Sequence, residues 1–433
     1  MGKERILQVA LDFMNLDRAM QVARESVKGG VEWLEAGTPL IKSEGMNAIR
    51  TLKKEFPDHQ IVADMKIMDV GSVEVEMAAK SGANVVIVLG LSDDSTISEA
   101  VAAGKKYGAQ IMVDMINVEN MIERAAQLER LGVDIICVHV GIDQQMKGMK
   151  PLEITRQVAE IITTPKLAIA GGLNSETAPK AIEAGADIII IGHAITAAQD
   201  AAEATQILKE AMASGKPIVS KLFKKYDEAE LYKVFGMLST PNISDAMHRI
   251  PAMSGIRPVW IGSKMVGKAV TVRTYPGDWS KTVEAIDIAG KGDIIVIDAA
   301  GGEVAVWGEL ASWSCKVKEI AGVVIDGAVR DVEDIREIKF PVFARYITSA
   351  AGEPKGFGEI NIEIECGGVK VAPGDWVIGD DNGIMVIPKA QAQEMANRAM
   401  DVLERENRIR EEIKRGSTLS KVLQLKKWEK IVG

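Results

Sequence analysis

Asp64, Lys66 and Asp69 fall within the six residues "DMKIMD", inside an otherwise apolar run. Residues two apart on a strand share a face, so Asp64 and Lys66 set an acid beside an ammonium group. Such a pair can hold a proton in place and stabilise a developing oxyanion. It can equally neutralise itself in a buried site, so the pair alone does not separate structure from chemistry. Two further residues join it: Glu35 in "VEWLEAG" and His139 in "DIICVHVG". Glu35 and Asp64 offer two carboxylates from neighbouring runs, a donor set that suits a hard cation such as Mg2+ (or Mn2+), with the remaining ligands from water and substrate oxygens. His139 adds an imidazole, a side chain suited to carrying a proton.

The elements that must position these groups are legible as a rhythm. Up to residue 213, the runs "ILQVALDF", "VEWLEAG", "QIVADMKI", "NVVIVLG", "QIMVDMI", "DIICVHVG", "KLAIAGG" and "DIIIIG" alternate with helical stretches, at a period of roughly 25 residues. Near-continuous apolar character marks strands buried on both faces of a parallel sheet, and eight of them predict an α/β fold, a (β/α)8 TIM barrel. Between them "NLDRAMQVARESVKGG" reads as a helix capped by Asn15 or Asp17 and ended by glycine. Active sites of such barrels lie at the carboxyl ends of the strands. Asp12, Glu35, Asp64, Lys66, Asp69, Asp114 and His139 all fall there. Gly171 and Gly172 in "AIAGGL" and Gly192 in "IIIIGH" close runs seven and eight. Backbone amides at those places cradle phosphate, so the substrate is expected to be phosphorylated.

A chain of 433 residues predicts two or three domains. Hydrophobic and charged fractions of 47% and 26% are those of a globular protein, and a net charge of -9 disfavours bulk nucleic-acid binding. Cys137, Cys315 and Cys366 are far apart and read as buried thiols of a reducing compartment. The start "MGKERILQVALDF" lacks a signal-peptide pattern and no window is apolar enough for a membrane span, so a cytoplasmic protein is expected. The barrel is expected over 1–213 and a linker over 214–237. A second domain over 238–390 carries runs such as "KMVGKAVTVRTY", "GDIIVIDA" and "GVVIDGAV" between glycine-rich turns, predicting a compact α/β domain with a β core. Residues 391–433 read as a charged amphipathic helical tail, a solvated face or a packing arm rather than a binding device.

"ALD", "EAGTPLI", "DMKIMD", "HVGIDQQ" and "AGGL", in this order, resemble the 3-hexulose-6-phosphate synthases of the orotidine 5'-phosphate decarboxylase suprafamily. The resemblance implies an aldol reaction joining formaldehyde to ribulose 5-phosphate, or its reverse. It implies Mg2+ bound by Glu35 and Asp64, a proton moved at C1 by His139, and Lys66 stabilising the enediolate. Asp12 joins the catalytic and substrate-binding residues. Asp69 would reach the neighbouring subunit's site, implying a homodimer or higher homo-oligomer with shared active sites. Gly171, Gly172 and Gly192 would offer amides to the phosphate, with His193, where relatives often carry arginine or glycine, beside them. Decarboxylase relatives show an arginine soon after the sixth-strand histidine; "HVGIDQQ" has none, which favours aldol chemistry. A sugar-phosphate decarboxylase on the same barrel is the alternative.

In the second domain, "DAAGGEVAVWGEL", "TPNISDAM" and "DDNGIMVIP" resemble the family of 4-hydroxy-4-methyl-2-oxoglutarate aldolases and regulators of ribonuclease activity. Aldolase members share an acid, about twenty residues, then Arg-Asp and a further acid. Glu309, Arg330, Asp331 and Asp334 match. The resemblance implies that Asp331 binds a divalent ion, that Arg330 holds a carboxylate or enolate oxygen of an oxoacid, and that Glu309 acts through metal-bound water. A non-catalytic ribonuclease regulator and an oligomerisation element are the competing readings, and Asp334 discriminates, because regulators tend to lack that acid.

Overall fold

Each of the eight apolar runs forms a strand: β1 (Ile6–Leu11), β2 (Trp33–Ala36), β3 (Gln60–Ile67), β4 (Val85–Leu89), β5 (Gln110–Asp114), β6 (Ile135–His139), β7 (Lys166–Ala170) and β8 (Ile188–Ile191). They pair in parallel in sequence order, and β1 pairs with β8, so the sheet closes into a barrel. The computed structural model describes residues 5–141, 152–219, 225–423 and 425. Residues 142–145, the end of "HVGIDQQ", lie outside them. One register of strand side chains, including Ile6, Trp33, Val62, Met112 and Ile188, fills the barrel interior. The alternate register, including Leu7, Leu34, Ile61, Val86 and Ile189, packs under the helices. Because strand side chains repeat every second residue, the inward register runs on from Ala10 to Asp12, Trp33 to Glu35, Val62 to Asp64, Met112 to Asp114 and Cys137 to His139. The pleat that builds the core thus also aims the polar groups at the barrel mouth. The connecting helices follow their signals: Leu16–Lys28 is capped by Asn15, whose side chain accepts from the Arg18 N–H, and it stops at Gly29.

The chain divides into two compact units. One holds the described residues up to Lys225 together with those from Glu404 onward, and the other runs Tyr226–Leu403. The second unit is a mixed α/β domain. Its strands are β9 (Arg257–Pro258), β10 (Met265–Arg273), β11 (Ile294–Trp307), β12 (Gly322–Val329), β13 (Val342–Ile347), β14 (Glu359–Ile360), β15 (Ile364–Cys366), β16 (Val369–Val371), β17 (Trp376–Asp380) and β18 (Gly383–Ile387). The main sheet runs β18-β17-β10-β11-β12-β13-β9, with β10 to β13 parallel and the flanking strands antiparallel.

Two expected boundaries differ from the structure. Residues 226–237, expected as linker, carry the helix Leu231–Met237, and Tyr226, Leu231, Val234 and Phe235 lie in one buried cluster with Trp376, Ile378 and Ala396. Apolar residues spaced three and four apart give that segment a face to bury. The tail is not a separate element either, and of its two readings, solvated face or packing arm, the structure shows the packing arm. Residues 392–414 form one helix whose Ala392, Ala396 and Ala399 are core residues of the second unit, while Arg408, in its later part, is only 1% exposed within the barrel unit. All three cysteines are buried free thiols, and no described helix is long and apolar enough to cross a membrane.

Candidate active site

The "DMKIMD" stretch is not a regular strand. Between the pairs Ala63–Val86 and Ile67–Val88 the β3 chain takes four steps where β4 takes two, a bulge. Lys66 sits in it at φ 46°, a left-handed conformation that costs a non-glycine residue about 1 kcal/mol or more. The distortion brings together groups from three strands, β3, β5 and β6. Lys66 Nζ donates to both oxygens of Asp64 (3.0 and 2.9 Å) and to Asp114 Oδ2 (3.1 Å). His139 Nδ1 lies 2.8 Å from the same Asp114 Oδ2, and Asp114 Oδ1 accepts the Ile116 N–H at 2.9 Å. Behind Asp64, Thr38 donates its hydroxyl (2.6 Å) and its N–H (3.3 Å) to Oδ2.

Burial works against the charge of Asp114, but the imidazole of His139 and the ammonium of Lys66 outweigh it and hold the carboxyl down at about 2. An ionised carboxylate only accepts, so the proton of a neutral His139 belongs on Nδ1 and Nε2 is left with its lone pair. Lys66 is held charged: burial alone would lower its pKa, but Asp64 and Asp114 raise it further.

Glu35 has no such cation. It is 5% exposed, and burial, then the charges of Asp64 and Asp12, push its carboxyl well above the ordinary range. Asp12, at the end of β1, rises to about 6 through loss of surrounding water and then through Asp64. It keeps open surface toward the mouth, so its shift belongs to a crowded acidic recess rather than to full enclosure. Asp64 and Asp12 thus disfavour the charge of Glu35, a cost that a divalent cation would relieve, and Glu35 and Asp64 have the chemistry to hold one. Among the described residues no three His, Cys, Asp or Glu side chains are gathered as a ready metal cage.

Gly171 and Gly172 follow β7 with φ of 102° and 67°, values that favour glycine. Gly192 follows β8, and a Cβ there would stand 3.8 Å from Asp12 Oδ2, so the glycines and Asp12 share one rim of the barrel. His193 is turned to an acid rather than standing open: its Nε2 lies 3.2 Å from Glu404 Oε2. Asp69 is exposed and makes a local contact, its Oδ1 accepting the Val70 N–H at 2.7 Å.

Several members of the site are not evident from residue type alone. Asp114 is the hub, although its position marks it only as one strand end among seven. Thr38 and Gly37 sit inside "EAGTPLI"; a Cβ on Gly37 would come within 2.2 Å of Asp12 Oδ1, so that glycine makes room for a carboxylate. Gln8, fully buried in β1, donates through Nε2 to Glu35 Oε2. The signal for it was a glutamine inside an apolar strand.

In the second unit, Asp331 caps the helix Val332–Ile338 at φ 59°. Its Oδ2 accepts the Glu309 N–H (3.3 Å) and lies 3.4 Å from Arg330 Nε. A Cβ on Gly308 would come within 2.6 Å of the same oxygen. Glu309 and Asp334 line one cavity of about 330 Å3 with Trp313, Lys316, Glu337 and Ile338. The four residues that the resemblance to the aldolases picks out are therefore neighbours in space.

Comparison with known proteins agrees with this division. Residues 5–207 match the Orotidine 5'-phosphate decarboxylase / HUMPS family, and residues 240–386 match the RraA-like family, Aldolase/RraA. The 3-hexulose-6-phosphate synthase of Bacillus subtilis (strain 168) is 40% identical over 209 residues, 48% of this chain and 99% of that protein. The 3-hexulose-6-phosphate synthase 2 of Staphylococcus saprophyticus is 40% identical over 200 residues, 46% of this chain and 93% of that protein. A crystal structure of 3-hexulose-6-phosphate synthase from Salmonella typhimurium is 37% identical with a TM-score of 0.47, covering 48% of this chain and 99% of that one.

Proposed function

The chain belongs, through residues 5–207, to the orotidine 5'-phosphate decarboxylase / HUMPS family, and from that premise we propose that its barrel joins formaldehyde to ribulose 5-phosphate, giving 3-hexulose 6-phosphate, or releases formaldehyde in reverse. Relatives of that name at 40% identity support the reaction. The observation that carries it is the chain of contacts Asp64–Lys66–Asp114–His139.

Glu35 and Asp64 would hold Mg2+, which when bound polarises the sugar carbonyl and stabilises the enediolate. Asp114 keeps the His139 proton on Nδ1, so Nε2 takes the proton from C1 of ribulose 5-phosphate. Lys66, fixed between Asp64 and Asp114, donates to the enediolate oxygen. C1 then bonds to the formaldehyde carbon, and His139 returns the proton to the new oxygen. Gly171, Gly172 and Gly192 offer backbone amides to the phosphate. Asp69 serves a second copy's site in a homodimer; the side chains of Met68, Val70, Val73 and Met77 around it are exposed and offer an apolar surface for that contact.

The second unit is proposed to act on a carbon–carbon bond of an oxoacid, with Asp331 holding a divalent ion, Arg330 the substrate carboxylate and Glu309 a proton. The convergence of Glu309 and Arg330 on Asp331, with Asp334 in the adjoining cavity, favours this over a purely regulatory role.

Formaldehyde consumption by the full chain with ribulose 5-phosphate and Mg2+, set against Asp64→Ala, tests the barrel reaction. Turnover lost in the variant is expected. A folded, Mg2+-supplied protein that consumes no formaldehyde, or that releases CO2 from a sugar-phosphate acid instead, overturns it.

A further inference from the structure

Gln8 is out of place by residue type. It lies in the inward register of β1 between Ile6 and Ala10, level with Trp33 on β2 and Ile190 on β8, all four of them apolar residues of the barrel interior, and it is itself fully buried. An amide enclosed in this way has to be hydrogen-bonded or it weakens the fold. Only half of it is: Nε2 donates to Glu35 Oε2, while Oε1 meets no donor among the described residues. An apolar side chain would fill the same place without leaving an acceptor unanswered, so packing does not account for the amide. Its contact with Glu35 does.

The two carboxylates suited to a divalent cation are engaged unevenly, each more on one oxygen than on the other. At Glu35 the Gln8 amide holds Oε2, and no described donor reaches Oε1. At Asp64, Oδ2 accepts from the Thr38 hydroxyl (2.6 Å), the Thr38 N–H (3.3 Å) and Lys66 Nζ (2.9 Å), whereas Oδ1 accepts from Lys66 alone (3.0 Å). A donor proton and a metal ion compete for the same lone pairs, so the engaged oxygen of each acid is the poorer ligand. Small, octahedral Mg2+ is served by single oxygens from one or two carboxylates, while the larger Ca2+ takes more ligands in a looser shell and gains from acids that grip with both oxygens.

We propose that Gln8 is a positioning residue for the barrel's cation: by holding Glu35 Oε2 it leaves Oε1 as the ligand atom, as Thr38 does for Asp64 Oδ1, and the resulting pair of one-oxygen ligands selects Mg2+ against Ca2+. Groups hydrogen-bonded behind a metal ligand commonly set its orientation and its affinity. The proposal rests on the reading of Glu35 and Asp64 as holders of a divalent cation. Gln8 acts through Glu35 alone, and its buried, unanswered Oε1 is the cost of that placement.

The test is Mn2+ binding to the full-length protein, read by electron paramagnetic resonance with Mg2+ and Ca2+ as competitors, the barrel site being the part of the binding that Glu35→Gln removes. Wild type is expected to bind Mg2+ more tightly than Ca2+ there. Gln8→Met, of similar volume and without the amide, should weaken Mg2+ by about ten- to a hundred-fold and Ca2+ by less, so that the preference narrows. Gln8→Asn keeps an amide that is one methylene too short to reach Glu35 and should narrow the preference in the same way. In the Glu35→Gln protein, adding Gln8→Met should change ion binding no further. Formaldehyde consumption is a separate readout: a wild type that turns nothing over while Gln8→Met still narrows the ion preference sinks the synthase reading and leaves the Gln8 assignment standing. Wild-type Mg2+ affinity and preference in a folded Gln8 variant, an equal loss for both ions, or no ion binding that depends on Glu35 overturns the assignment. So does a wild type that binds Ca2+ as tightly as Mg2+ at this site, a result that needs no Gln8 variant to fold.

Discussion

Replacing Asp114 by Ala removes three contacts at once, and their geometry sets the size of the effect. Oδ1 accepts the Ile116 N–H, while Oδ2 serves both His139 Nδ1 and Lys66 Nζ. Lys66 keeps both oxygens of Asp64, so the ammonium is not stranded; the orphaned Ile116 N–H and the loss of charge-assisted bonds cost about 3 kcal/mol together. For a unit of this size that is a fall in melting temperature of roughly 6–12 °C. The carboxyl held at about 2 rather than 3.8 gives an independent figure of about 2 kcal/mol. Because this pKa is depressed in the folded state, the contribution is present above the unfolded value and lost as pH falls through about 2. The melting-temperature gap between wild type and Asp114→Ala should therefore be full at pH 6 and shrink below pH 4, as calorimetry across that range would read. On catalysis, His139 loses the acceptor that fixes its proton on Nδ1, and kcat for formaldehyde consumption should drop on the order of 10^2 to 10^4, the range a positioned general base supplies. Asp114→Asn is the discriminating companion. With its amide oxygen facing His139 and Lys66, its NH2 opposes the Ile116 N–H, so the tautomer survives at a cost in stability and without the negative charge; intermediate activity is expected. A folded Asp114→Ala enzyme with kcat within ten-fold of wild type would refute the role given to this residue.

Glu35→Gln should raise the melting temperature of the metal-free protein at neutral pH while weakening Mg2+ binding in calorimetry. An acid whose pKa is raised on folding destabilises the folded state above its unfolded pKa, and the amide removes that penalty together with the ligand; a variant no more stable than wild type would show that Glu35 is not under the repulsion described. In the second unit, Asp334→Asn should abolish divalent-ion-dependent cleavage of 4-carbon or larger oxoacids, followed as pyruvate release, and leave formaldehyde consumption unchanged. Equal pyruvate release by wild type and variant would remove Asp334 from the chemistry.

Much of this protein is legible along the chain. Eight apolar runs and the helical stretches between them predict the barrel, because a strand buried on both faces has to be apolar at nearly every position. The pleat's period of two then assigns Glu35, Asp64, Asp114 and His139 to the inward register, and the resemblance to the aldolase pattern of acid, Arg-Asp and acid picks out Glu309, Arg330, Asp331 and Asp334, which are neighbours in the structure. Local pattern is silent on which partners the polar groups choose. That Lys66 occupies a bulge, that Asp114 rather than Asp64 carries His139, and that Thr38 closes on Asp64 were decided by the pairing of strands. The helix after residue 391 shows the limit most clearly. Its charged residues leave a solvated face and a packing arm both open, and only the fold shows Arg408 buried against Glu25, 383 residues earlier in the chain. Amphipathic periodicity reports that a face will be covered, and a buried arginine is stable only once carboxylates and carbonyls converge on it. Those partners are supplied by the tertiary structure.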